Sequence, residues 1–179
     1  ENPWWGESKR GIAITTELAR RHGIRTLLKP HIWVRNSWPG AIEMNTDTEW
    51  KAWFRQYENF ILRYAALADS TGVEIFCIGT ELHQTVMRPE WPHLIKKIRS
   101  IYKGKLTYAA NFSGEFEDVP FWSELDYIGV QAYFPLTSSK EPSLQELERG
   151  WNEPMARIEK VFKKFRKPIE ACPPPWRQG

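Results

Sequence analysis

The sequence predicts an α/β fold built on a parallel sheet, and three observations carry that expectation. Helical and strand periodicities alternate in strict turn along the chain, the pattern of successive βα units. No glycine-rich phosphate turn follows any strand, which removes dinucleotide-binding and P-loop folds. Each apolar strand run ends instead in bulky polar or aromatic residues, as strands do where they converge on the mouth of a (β/α)8 barrel. Only five strands are countable, against eight in a closed barrel of about 250 residues. With 179 residues the chain is short of that by roughly a third.

The elements follow in order. Residues 8–22 place Ile12, Leu18 and Ala19 on one side of a helix, and Gly23 follows as its stop. Ile24 to Val34 reads as a buried strand with polar residues only towards its end, and Asn36 to Asn45, with Pro39-Gly40, as a loop. Thr46 and Glu49 have capping-box spacing. They open a long helix in which Trp50, Trp53, Phe54, Tyr57, Phe60, Ile61, Tyr64 and Leu67 recur at three and four, up to Thr71-Gly72. A strand over Val73–Leu82, a helix over Pro89–Tyr102 and a strand over Lys105–Phe112 come next. After a short Trp/Phe-rich connection, Asp126–Pro135 forms a fourth strand. Ser143–Phe165 forms one more long helix, and Lys167-Pro168-Ile169 begins a last strand. No linker divides the chain, so residues 1–179 are expected to form one incomplete barrel domain.

Composition excludes several function classes. Lys plus Arg number 25 against 22 Asp plus Glu, a formal charge of +3. That slight excess is scattered, which gives no nucleic-acid footprint. An apolar content of 41 % with 14 % aromatics excludes a disordered chain. No apolar run is long enough to span a membrane. Two cysteines, Cys77 and Cys172, are too few for a disulfide framework, and Cys77 lies in an apolar run as a small buried hydrophobe. The first residue is Glu1 rather than Met, as in a processed form or a fragment. The ten Trp serve core packing first, but a flat apolar face with one donor also suits stacking on a sugar ring. Trp4-Trp5 would stand at the barrel mouth for that purpose.

The candidate site gathers at the strand ends: Lys29, His31 and Trp33, then Glu81 and His83, then Asn111, then Gln131 and Tyr133. Glu81 closes the run Ile78-Gly79-Thr80-Glu81-Leu82, and a carboxylate at the end of an apolar strand is costly unless solvated or paired. Glycosidases need two carboxyl groups, one to protonate the leaving oxygen and one to attack the anomeric carbon or activate water. Glu81 fits the acid where apolar neighbours favour its protonated form; a structural pairing with Lys29 is the competing reading. His31 and His83 lack a third ligand at metal-binding spacing, so no metal or other cofactor is expected. His22 and His93 belong to helices and are expected in solvent. Asp126 opens its strand at the end away from the mouth and reads as structural.

Four runs carry a resemblance: Leu27-Leu28-Lys29-Pro30-His31-Ile32-Trp33, Phe76-Cys77-Ile78-Gly79-Thr80-Glu81, Leu106-Thr107-Tyr108-Ala109-Ala110-Asn111 and Asp126 through Pro135. In this order and spacing they resemble glycoside hydrolase family 113, clan A enzymes of the β-mannanase type with a TIM barrel. The resemblance implies strands three to seven of a (β/α)8 barrel, with Glu81 matching the acid/base at the end of strand four. It implies a retaining mechanism on β-1,4-linked mannan or a related oligosaccharide, without a cofactor. Lys29, His31, Trp33, Asn111, Gln131 and Tyr133 would then line the sugar site as substrate-binding residues.

The pattern departs from the family at the nucleophile, a Glu at the end of strand seven. Lys167-Pro168-Ile169 is present, but about six residues after Lys167 stands Pro173, within Pro173-Pro174-Pro175, a run that cannot continue a central strand. Glu170 falls too early in the strand to replace it. Thr80 also stands where clan A enzymes often carry Asn. The expectation is therefore a fragment with impaired activity. The rival is a non-catalytic carbohydrate-binding barrel remnant, and a weaker third is a metal-dependent hydrolase using His31 and His83. Action on a polymer slightly favours an extracellular or periplasmic location over the cytoplasm.

Overall fold

The computed structural model describes residues 5–172. Trp4 and Pro173 lie outside the described residues. Among the described residues the helices and strands run α1 (Lys9–Arg21), β1 (Leu27–Leu28), α2 (Asp47–Thr71), β2 (Ile75–Thr80), α3 (Trp91–Ile101), β3 (Lys105–Asn111), α4 (Glu115–Asp118), β4 (Ile128–Gln131), α5 (Leu144–Gly150), α6 (Asn152–Phe165) and β5 (Ile169–Ala171). The strands form one parallel sheet in chain order, β1-β2-β3-β4-β5. The expected incomplete barrel is present, with all five strand carboxyl ends on the same edge.

The helix ends follow the sequence signals. Thr46 and Glu49 form a reciprocal capping box at the start of α2, and Gly72, with φ of 69°, ends that helix in the left-handed conformation. Ser8 accepts the Gly11 N–H at the start of α1. Behind the sheet, α2 and α3 build an aromatic core around Trp91, which is fully buried. Trp91 stacks on Phe121 with centroids 4.9 Å apart and meets Phe54, Tyr57 and Tyr108 edge-on. Its indole N–H donates to the Thr85 carbonyl at 2.8 Å, so the polar atom is satisfied within the core. Trp50, 8 % exposed, anchors the same core as the helical spacing predicted.

Three elements differ from the sequence expectation. The first strand shrinks from Ile24–Val34 to Leu27–Leu28. It pairs only with β2, and Pro30 has no N–H to extend the ladder. The helix expected over Ser143–Phe165 breaks at Trp151, because Pro154 cannot donate to the Gly150 carbonyl. Gly150 also lies so close to the Leu136 carbonyl that a Cβ there would sit 2.1 Å from its oxygen. On α1 the buried residues are Gly11 and Thr16, while Leu18 is 50 % exposed. Arg20 links that helix to the end of α2 by donating to the Thr71 carbonyl.

At the amino-terminal edge of the sheet, Asp126 accepts the Leu106 N–H at 2.9 Å and binds Arg99 and Lys105. Burial opposes its ionisation, but those donors outweigh burial and hold its carboxyl below the ordinary range. It is a structural tie, as its position implied.

Trp91→Ala should destabilise the fold by about 3–5 kcal/mol, read as a lower urea midpoint at unchanged slope. A loss under about 1 kcal/mol would show that the aromatic core does not depend on it.

Candidate active site

The mouth is built from the residues just past the strand ends. β2 is irregular between Cys77 and Thr80. Gly79 lies there, and a Cβ on it would come 2.7 Å from the Tyr108 ring, so only glycine lets the strand approach that ring. The chain then places Glu81 at φ of 51°, a conformation costly for any residue with a side chain. Its N–H donates to the Ala109 carbonyl at 2.9 Å. Its carboxylate accepts from Asn111 Nδ2 at 2.7 Å.

The other expected residues join this pair unevenly. Lys29 donates to Gln131 Oε1 at 3.2 Å across the opening, and Gln131 is 1 % exposed. Burial lowers the Lys29 pKa below the ordinary amine value, while Cys77, Cys172 and Glu81 work in the opposite direction. His31 is held neutral-favouring by burial first and by Lys29 second. Its Nδ1 is enclosed and makes no hydrogen bond among the described residues, and its ring meets Trp33 edge-on at 5.1 Å. Trp33 is 72 % exposed, in the loop that replaces the end of the expected strand, and Tyr133 is 44 % exposed beyond β4. His83 sits in the 3-10 turn His83–Thr85 after β2. Among the described residues no three His, Cys, Asp or Glu side chains gather as a metal site.

Below this polar layer lies a small apolar floor. Cys77, Ala109 and Cys172 pack together with Leu27, and both cysteines are free. Burial pushes both thiols upward, so they stay protonated. Glu170 pairs in register with Gly129, which places it two residues before the level of Gln131.

One ionisable residue of this region escaped the sequence reading. Glu115 is fully buried, accepting from the Tyr108 hydroxyl at 2.5 Å and from the Asn111 N–H at 2.7 Å. Burial, aided slightly by the Glu81 charge, outweighs those donors and raises its pKa to about 7. A signal did exist: Tyr108 falls on the helix-facing side of an apolar strand, where its hydroxyl needs a buried acceptor.

The strand ends of this parallel, incomplete (β/α) barrel thus gather a carboxylate, amides, an amine, an imidazole and exposed aromatics at one edge. The chain belongs to Glycoside Hydrolase Family 113, whose sequence profile matches residues 7–172. Among solved structures it is similar to the GH113 β-mannanase AaManA from Alicyclobacillus acidocaldarius in complex with ManMIm. That similarity has 32 % identity and a TM-score of 0.78, over 90 % of this chain and 50 % of that one. A complex of a GH113 β-1,4-mannanase matches at 28 % identity and a TM-score of 0.77, again over 90 % and 50 % of the two chains. The chain thus spans half the length of these relatives. No curated protein matches it.

The raised pKa of Glu115 has a measurable consequence. Between about pH 4.5 and 7 the unfolded chain has released this proton while the folded chain retains it. Its contribution to stability is therefore complete at low pH and declines as pH rises through that window. The stability of the wild type relative to Glu115→Gln should fall by roughly 3 kcal/mol from pH 4.5 to 7 and level off above. Urea unfolding at a series of pH values measures it, and a difference that is flat or rises with pH would refute the assignment.

Proposed function

We propose that this chain carries the acid/base half of a retaining β-1,4-mannosidic hydrolase site, with Glu81 as the acid/base. The observation that carries the reading is the placement of Glu81: immediately past β2, in a left-handed conformation, with Asn111 bonded to its carboxylate. In the reaction Glu81 gives its proton to the glycosidic oxygen as the bond to the anomeric carbon breaks. A second carboxylate takes that carbon, and Glu81 then removes a proton from the water that releases the sugar. Family membership and the β-mannanase neighbours support mannan-type chains as the substrate. Lys29, Asn111 and Gln131 offer donors and acceptors for sugar hydroxyls, and His31 lies in the same region with its Nδ1 enclosed. Trp33 and Tyr133 present exposed faces suited to stacking.

Retention requires a second carboxyl about 5 Å from the first. Of the five described strands, only β2 has a carboxylate at its last residue or directly after it. Glu170 stands a layer too low in the register. This favours low turnover by the chain alone, and it is the observation behind a second reading, a non-catalytic oligosaccharide-binding barrel.

Chromatography of β-1,4-manno-oligosaccharides incubated with the chain and with Glu81→Gln separates these readings, with calorimetry for binding. Hydrolysis by the wild type should drop about 10²–10⁴-fold in the variant while binding persists. Equal turnover removes Glu81 from the chemistry. Binding without turnover in both proteins establishes the binding module, and absence of binding defeats both readings.

A further inference from the structure

We infer that Glu115 is a positioning residue for the Glu81 site, holding the backbone after Glu81 through the Tyr108 hydroxyl and holding Asn111 directly. The inference rests on the reading of Glu81 as the acid/base and adds a residue that acts on it from behind the sheet.

Two arms leave the Glu115 carboxylate. On one oxygen it accepts the Tyr108 hydroxyl proton at 2.5 Å, which leaves the phenol oxygen free to accept the Leu82 N–H at 2.7 Å. Leu82 directly follows Glu81, whose φ of 51° is not a conformation its own sequence favours. Glu81 is therefore clamped on both sides, by its own N–H on the Ala109 carbonyl and by the next N–H on Tyr108. On the other oxygen Glu115 accepts the Asn111 N–H at 2.7 Å. The Asn111 side chain spans from that point to the mouth: Oδ1 accepts the Ser113 N–H at 2.7 Å, which leaves Nδ2 to donate to Glu81.

A purely architectural role explains this less well. Glu115 is fully buried and has no ion-pair partner among the described residues, so an apolar residue of similar volume would cost less to bury. What an apolar residue cannot do is accept from two donors that both lead to Glu81. Glutamine offers one acceptor atom, so of the two donors that the ionised carboxylate holds it can accept only one.

The test uses the full chain labelled with ¹⁵N. In Glu115→Gln the backbone amides of Leu82 and Asn111 and the side-chain amide of Asn111 should all shift. Hydrogen exchange at Leu82 and Asn111 should accelerate by about tenfold or more, while amides of α6 stay in place. A folded Glu115→Gln protein with these signals unmoved overturns the inference. Where that variant does not fold, Tyr108→Phe cuts one arm: Leu82 should move while the Asn111 backbone amide stays, and an unmoved Leu82 overturns it. Where turnover is measurable, Glu115→Gln should lower kcat about tenfold or more at nearly constant KM, and an unchanged kcat overturns the inference. Turnover that survives Glu81→Gln defeats the acid/base reading alone, because the amide shifts do not depend on it.

Discussion

Parallel strands cannot be joined by a tight turn, so every connection between them must cross the sheet, and the rest of this structure depends on that constraint. The crossovers put α2, α3 and α6 on one face, where their apolar stripes cover the strands. They also bring all five strand carboxyl ends to one edge. Glu81, Asn111 and Gln131 come from segments far apart in sequence, yet they meet because each ends a strand of the same sheet. The connections at the opposite edge are free to be structural, and the Asp126 tie to Arg99 and Lys105 lies there.

The second constraint is local. For Glu81 to turn into the mouth, β2 must depart from regular pairing just before it, and the departure occurs where Gly79 passes against the Tyr108 ring. That ring belongs to the buried aromatic core with Trp91 and Phe121. Packing behind the sheet and the aim of a carboxylate in front of it are thus coupled through one phenol, whose ring fills the core and whose hydroxyl faces the Glu81 turn.

These relations explain what was legible in the sequence. The capping box at Thr46 and Glu49, the aromatic periodicity of α2 and the apolar runs of β2 and β3 are local signals, and the structure repeats them. The resemblance carried the barrel class and its order of strands. Less was legible where a tertiary partner decides the outcome. Ile24–Val34 has the apolar character of a strand, but only Leu27–Leu28 find a ladder partner ahead of Pro30. The helix break at Trp151 was present in Gly150 and Pro154, though the close approach of Leu136 was not. Glu115 lies in the run Glu115-Phe116-Glu117-Asp118, where nothing local distinguishes it from its acidic neighbours. Its burial is set by Tyr108 and Asn111 of the preceding strand.

Two glutamates on one network show how environment assigns different work to the same side chain. Glu81 meets the mouth with a single amide donor on its carboxylate, and Glu115 is sealed behind the strand with both oxygens engaged. Acid/base chemistry needs a carboxyl that substrate can reach, whereas holding a strained turn needs one that water cannot compete for. The floor beneath them makes a parallel point. Two protonated thiols and an alanine leave Lys29 poorly solvated from below, so burial weakens its hold on its proton and its amine turns towards Gln131. Small neutral residues below and amides above keep this region free of strong ion pairs among the described residues. Its polar groups are held by hydrogen bonds such as those of Lys29 to Gln131 and Asn111 to Glu81, which a sugar hydroxyl can replace.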